Sequence, residues 1–130
     1  MVTLISVVSK SHRKEGPVTV KILLERKFKE EPSLEEIKII NNLRIGAMEQ
    51  RGYVSGETLV DLDDHRRIVV ISVWTNKAAW ETWEKSDQRR KLEANLNENL
   101  KQRPIIRSFM LGADYLGDVF EEVVHDSEVQ

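Results

Sequence analysis

Three tryptophans with the potential for chemistry lie close together in one short segment. The segment reads VWTNKAAWETWEKSD and contains Trp74, Trp80 and Trp83, which are all 3 tryptophans of the chain. Flat aromatic rings at a pocket wall can stack on a planar apolar ligand. Trp80 and Trp83 are also spaced to share one helix face, where such rings often simply pack onto a sheet. Packing is favoured for Trp80, whereas Trp74 and Trp83 fit either role and are the candidate catalytic residues.

Polar side chains that could assist a ligand are few. Ser72 shares a strand face with Trp74 and could donate a hydrogen bond, although strand serines more often bond locally. Two polar residues border the apolar stripe of the first predicted helix and could reach a pocket rim, although such residues are usually exposed. The predicted substrate-binding residues are Val70, Ser72, Trp80, Asn41 and Arg44.

The sequence favours no metal or nucleotide site. Its 3 histidines, His12, His65 and His125, fall in a predicted linker, turn and tail, and the chain has 0 cysteines. The stretch DLDDH at the turn resembles the start of a calcium loop, but Arg66 and Ser72 occupy the places that require Gly and Glu. That turn is better explained as a solvated hairpin turn. We therefore predict no metal and no cofactor.

The length, composition and net charge of the chain exclude several classes of protein. With 130 residues, 32% of them charged, and a net charge of −2, the chain is predicted to be one globular domain over residues 1–130 with no nucleic-acid partner. The longest apolar run, Ile68–Trp74, is too short to cross a membrane, and the first residues lack the features of a secretion signal. The absence of cysteine fits a reducing cytoplasm, where we expect the protein.

Hydrophobic periodicity predicts the order of strands and helices. Residues 18–28 alternate as a strand with one buried face. Ser33 and Glu36 form a capping box that opens a helix ending at Gly52. The apolar stripe of this helix is Leu34, Ile37, Ile40 or Ile39, Leu43 and Ala47 or Met48. Two further helices are predicted at residues 77–85 and 86–102, and strands at Tyr53–Leu62, Ile68–Thr75 and Ile105–Ala113.

This order is the β-α-β-β-α-β pattern of the ferredoxin-like fold, an α+β class in which helices cover one face of an antiparallel sheet. The core spans about residues 18–113. Residues 1–16 hold an extra strand at 2–8 and a linker, and residues 117–130 form an acidic tail with one or two amphipathic turns.

The third strand is apolar on both faces, with Ile68, Val70 and Trp74 on one and Val69, Ile71 and Val73 on the other. Helices can cover only one of these faces. A second copy of the same sheet is the simplest cover for the other, so we predict a homodimer with its sheets packed face to face.

The tryptophan segment resembles the signature of the antibiotic biosynthesis monooxygenase family. Trp74, Trp80, Trp83, Ser86 and Asp87 stand at its characteristic places, and Gly52-Tyr53-Val54 resembles the family's lead-in to the second strand. The resemblance covers about residues 18–113. It implies a dimeric α+β barrel and a pocket in which cofactor-free members oxidise anthrone-type substrates. In those members Asn and Tyr occupy the positions of Val70 and Trp80.

A second branch of the resemblance implies haem degradation. Its members have a Trp that matches Trp83, a His ligand at the position of Glu93, and an Asn at the position of Glu25 or Arg26. Three hypotheses thus stay open: a monooxygenase acting on a small aromatic or quinol-like substrate without metal or flavin, a haem-binding or haem-degrading protein, and a non-catalytic dimer that binds a small hydrophobic ligand.

Overall fold

The computed structural model describes the backbone of residues 18–129 and the side chains of residues 18–119 and 121–123. The extra strand predicted at residues 2–8 lies outside this range. The strands are β1 (Val20–Lys27), β2 (Tyr53–Val60), β3 (Arg67–Trp74) and β4 (Ile105–Met110). The helices are α1 (Leu34–Met48), α2 (Lys77–Glu84), α3 (Asp87–Ala94) and α4 (Gly112–Val129), with a 3-10 turn at Asn97–Asn99.

The four strands form one antiparallel sheet in the order β2-β3-β1-β4. This is the ferredoxin-like α+β fold that the element order predicts. Alternation along β1 places Val20, Ile22 and Leu24 in the core beneath the helices. The register of β2 on β3 shifts between Tyr53 and Ser55, which marks a β-bulge or irregularity at the start of β2.

Helix α1 begins as predicted but ends at Met48, before Gly52, and the structure buries only part of the predicted stripe. Ser33 Oγ accepts a hydrogen bond from the Glu36 N–H, completing the capping box, and Gly52 after the helix has a φ of 91°. Leu34, Ile37 and Met48 of the predicted stripe are exposed, whereas Leu43 and Gly46 are buried.

Gly46 lets α1 pack closely against α2. A Cβ at this position would lie 2.5 Å from a ring carbon of Trp83, so only glycine lets the helix approach the ring this closely. The predicted stripe is confirmed in part, since Leu43 is buried and Ile39, Ile40 and Ala47 pack against the core. Periodicity missed the contact at Gly46 because it counts large side chains.

The second half of the chain departs from the prediction at element ends. Helix α3 stops at Ala94 instead of running to Gln102, and the 3-10 turn follows. Leu96 and Leu100, which follow the helix, are in the core, and Leu100 forms a β-bridge with Phe28. Strand β4 ends at Met110, and α4 continues to Val129 where only one or two turns were predicted.

The face of the sheet opposite the helices is open and carries a group of apolar residues among charged ones such as Lys21, Glu25 and Arg107. It carries Leu23, Leu59, Val69, Ile71, Val73, Ile105 and Phe109, as the strand registers require. Leu59 is 43% and Phe109 51% exposed in the single chain. The two-faced β3 is confirmed, and the sheet does not close on itself within one chain. No helix among the described residues is long and apolar enough to cross a membrane.

Candidate active site

An apolar cleft of about 360 Å³ lies between the N-terminal half of α1 and the β2–β3 edge of the sheet. We call it the α1 cleft. Its lining residues are Glu31, Pro32, Ile37, Ile40, Thr58, Val60, His65 and Ile68. Its size suits a small organic molecule, and its few polar groups lie among apolar walls, as is common in ligand sites.

The packing of α1 explains why the cleft stays open. The helix buries Leu43 and Gly46 and packs Ile39 and Ile40 against the core. Ile37, nearer its N-terminal end, is left 51% exposed. Across the gap, Val60 pairs with Ile68 on the helix-facing side of the sheet, and Val60 is 50% exposed.

The β2–β3 turn that carries His65 is held by a dense hydrogen-bond network. Asp61 Oδ1 accepts hydrogen bonds from the N–H groups of Asp63 and Asp64, at 2.8 and 3.2 Å. The Arg66 guanidinium donates to both carboxylate oxygens of Asp64, at 2.9 and 3.1 Å. These hydrogen bonds lower the pKa of Asp64 to about 2. The turn is thus a fixed support for His65.

His65 lies beside Glu31 at the mouth of the cleft. The distance from His65 Nδ1 to Glu31 Oε1 is 3.6 Å, and both side chains are exposed. The Phe28 N–H donates to the Arg66 carbonyl at 2.8 Å, which ties the end of β1 to the turn. The sequence predicts that His65 lies in a solvated turn but does not predict that Glu31 is its neighbour. Only the pairing of β1 with β3 brings the β1–α1 loop and the β2–β3 turn together.

The structure brings Trp74, Trp80 and Ser72 together, but in the core. Trp74 is 0% exposed and its Nε1 donates to Ser72 Oγ at 2.9 Å. The Trp74 ring meets Tyr53 at 5.4 Å and Trp80 at 5.8 Å between centroids, both edge-on. None of the three predicted residues lines the α1 cleft.

The other predicted site residues are dispersed. Trp83 is 3% exposed and packs against Gly46 of α1. Asn41 and Arg44 are exposed on α1. Val70 is the predicted residue with the most direct link to the cleft, because it faces the helices and is the cross-strand partner of the lining residue Thr58. The roles assigned to these residues stay predictions.

A buried charge cluster lies between the sheet and α3. The Arg26 guanidinium donates to the Glu93 carboxylate, and Arg89 Nη2 lies 3.5 Å from the same oxygen. Arg26 is 3% exposed, and its Nε has no hydrogen-bond partner. Arg89 lies 5.5 Å from the Trp80 ring centroid, and burial lowers the pKa of its guanidinium. In the sequence, Arg26 and Glu93 stand out only as positions of the haem-degrading branch, and their ion pair joins segments too far apart in the chain to be predicted.

Among the described residues, no cluster of three or more His, Cys, Asp or Glu side chains could hold a metal ion.

Trp74→Phe should lower the free energy of unfolding by about 1–3 kcal/mol, because it removes the indole N–H and leaves the buried Ser72 hydroxyl without this donor. Urea unfolding followed by circular dichroism measures the change. An unchanged midpoint would contradict the burial of the ring and its hydrogen bond to Ser72.

If Trp74 also serves catalysis, the folded variant loses oxygen uptake with an anthrone substrate. Undiminished uptake would remove Trp74 from the candidate catalytic residues.

Comparison with known proteins agrees with this fold. The sequence profile described as antibiotic biosynthesis monooxygenase matches residues 20–95. No curated protein sequence matches the chain. The structure is similar to that of SnoaB, a cofactor-independent oxygenase from Streptomyces nogalater, with 17% identity, a TM-score of 0.65 and coverage of 72% of this chain and 93% of SnoaB.

Two further solved structures have the same fold. A conserved protein from Methanosarcina mazei Go1 is 14% identical, with a TM-score of 0.66 and coverage of 72% of this chain and 92% of that one. Rv0793 from Mycobacterium tuberculosis is 11% identical, with a TM-score of 0.64 and coverage of 72% and 94%. At these identities the structures establish the fold alone. The profile match extends over more than half of the chain, so the chain belongs to the antibiotic biosynthesis monooxygenase family.

Proposed function

We propose that this protein is a monooxygenase that oxidises a small aromatic, quinol-like or anthrone-like molecule in the α1 cleft without metal or flavin. The observation that carries the proposal is the apolar cleft of about 360 Å³ in a chain of this family. SnoaB, with a similar fold, is a cofactor-independent oxygenase. Because fold alone does not determine activity, the proposed chemistry depends on the side chains that line the cleft.

The proposed reaction requires few groups from the protein. An anthrone methylene loses a proton, and the resulting electron-rich carbanion reduces oxygen directly. One oxygen atom becomes the new carbonyl of the substrate and the other leaves as water, with the substrate as the reductant. The protein has to exclude bulk water, hold the planar rings and accept a proton. The apolar walls formed by Ile37, Ile40, Val60 and Ile68 suit the holding of planar rings, and the bound rings themselves would displace water from these walls.

In this proposal the tryptophans have a packing role beside the cleft. Ile68, Val70, Ser72 and Trp74 follow one another along the helix-facing side of β3. Trp74 and Trp83 would then define the inner packing from which the cleft is built, and Val70 would lie between that packing and the substrate.

The proposal also includes a homodimer formed through the open sheet face. Its apolar residues lie on all four strands and leave a surface that water would otherwise cover. A second copy related by a two-fold axis presents an identical apolar face, which suits an isologous contact. The resemblance to the family implies the same pairing.

Ile37→Trp should reduce oxygen uptake with dithranol, an anthrone, by about tenfold or more, because the larger ring occupies the cleft that the substrate needs. Uptake is measured with an oxygen electrode across a panel of anthrones and hydroquinones. The matched control is Ile45→Trp, since Ile45 lies on the same helix, is 43% exposed and does not line the cleft. Equal loss in both variants would contradict this location. No uptake by the wild type with any member of the panel would count against the monooxygenase itself.

A further inference from the structure

The mouth of the α1 cleft carries two ionisable side chains that an apolar binding site does not require. His65 and Glu31 both line the cleft, and His65 Nδ1 lies 3.6 Å from Glu31 Oε1. Thr58 is the other side chain with a polar group in the lining. The proposed reaction needs a proton acceptor at this site, and the sequence alone offered no candidate.

We propose that His65 is the proton acceptor for an aromatic substrate in the α1 cleft and that Glu31 stabilises the imidazolium that forms. The oxygenation that follows rests on the proposed function, but the proton transfer does not. In this step the O–H or activated C–H bond of the substrate breaks, and an N–H bond forms at His65 Nε2. The electron pair stays on the substrate as a phenolate or carbanion. No oxidant or reductant takes part.

The chemistry of the lining groups favours His65 over its neighbours. An imidazole is the side chain best suited to exchange a proton near neutral pH. A threonine hydroxyl is far too weak a base, and an exposed carboxylate is a weaker base than imidazole. Because Nδ1 is the ring nitrogen beside Glu31, Nε2 remains for the substrate. This arrangement of acceptor and supporting carboxylate follows the logic of other base–carboxylate pairs.

Hydrogen bonds fix the backbone of the turn on both sides of His65. The turn is closed by Asp61 N–H donating to the Arg67 carbonyl and by Arg67 N–H donating to the Asp64 carbonyl, both at 3.0 Å. Asp64 and Arg66, which flank His65, form a two-pronged pair and offset each other's charge. Glu30 and Glu31 reach the turn from the β1–α1 loop, and both act on Arg66. Glu31 is the carboxylate in contact with His65.

A binding experiment tests the proton transfer apart from oxygenation. Para-nitrophenol absorbs visible light only as the phenolate, so the absorbance of the bound molecule reports how much of it has lost its proton. We expect wild-type protein to enrich the phenolate, His65→Gln to bind without enrichment, and Glu31→Gln to enrich it less. The matched control is Glu35→Gln, because Glu35 is 81% exposed, pairs with Lys38 and does not line the cleft. Equal phenolate fractions with wild type and His65→Gln would overturn the inference.

Oxygen uptake with dithranol supplies the second measurement. We expect His65→Gln to lower kcat by about 100-fold near neutral pH, with partial rescue at higher pH where the substrate ionises unaided. KM should change little, since the apolar walls remain. Uptake that is undiminished in His65→Gln would contradict the role of His65 and leave the monooxygenase standing. Absent uptake in the wild type, with phenolate enrichment that depends on His65, would reject the monooxygenase and support the proton acceptor.

Discussion

Glu93→Gln should lower the free energy of unfolding by about 3–5 kcal/mol, the largest loss we expect from any isosteric change in this chain. Glu93 is the carboxylate shared by Arg26 and Arg89 between the sheet and α3. The glutamine keeps the shape but removes the carboxylate that lies between the two guanidinium groups, so Arg26 and Arg89 repel each other and only Glu84 acts against the charge of Arg89. Side-chain exposure is 3% for Arg26, 10% for Arg89 and 13% for Glu93, so water screens the repulsion poorly.

Urea unfolding followed by circular dichroism measures the effect of Glu93→Gln. The matched control is Glu98→Gln, an exposed position in the 3-10 turn, where we expect a change within about 0.5 kcal/mol. Adding Arg26→Met to Glu93→Gln should recover part of the loss, because it removes one of the two repelling charges. The resulting double-mutant cycle isolates the coupling between Arg26 and Glu93. Additive losses in the cycle would show that the ion pair does not contribute as described.

The second prediction concerns the dimer. Leu23→Glu should convert the proposed homodimer to a monomer at micromolar concentration, raising the dissociation constant by about 100-fold or more. Leu23 lies at the middle of the open face, on the central strand β1. Dimer formation would have to remove the new carboxylate and the neighbouring Arg107 guanidinium from water, which costs several kcal/mol. Each 1.4 kcal/mol is about tenfold in affinity, and two-fold symmetry places the substitution in the interface twice.

The fold of the single chain should tolerate Leu23→Glu, because Leu23 is the cross-strand partner of Arg107 and the new carboxylate has a cation beside it. Sedimentation velocity gives the oligomeric state, and circular dichroism checks the fold. The control is Leu34→Glu, the same substitution at a residue that is 68% exposed at the start of α1, away from the open face. A wild-type protein that is monomeric at micromolar concentration would reject the dimer outright. A dimer that survives Leu23→Glu would reject this face as its interface.

Local sequence signals determined much of the fold. The alternation of β1, the capping box at Ser33 and Glu36, and Gly52 after α1 each depend on neighbours within a few residues, and each is present in the structure. The two-faced β3 followed from its own composition. Together with the tryptophan segment, these signals sufficed for the ferredoxin-like order and for the family.

The position of the cleft and its chemistry depended on contacts that no local pattern encodes. The close contact of Gly46 with Trp83 could not be predicted, because the absence of a side chain carries no weight in a hydrophobic stripe. The α1 cleft lies apart from Trp74, the first candidate, which is buried in the core and bonded to Ser72. The Arg26–Glu93 ion pair and the contact between Glu31 and His65 form only because strand pairing and helix packing bring distant parts of the chain together. The sequence by itself determined the scaffold, because backbone preferences and periodicity are local. The tertiary structure decided the candidate site, because pockets and ion pairs form between segments that are remote in the chain.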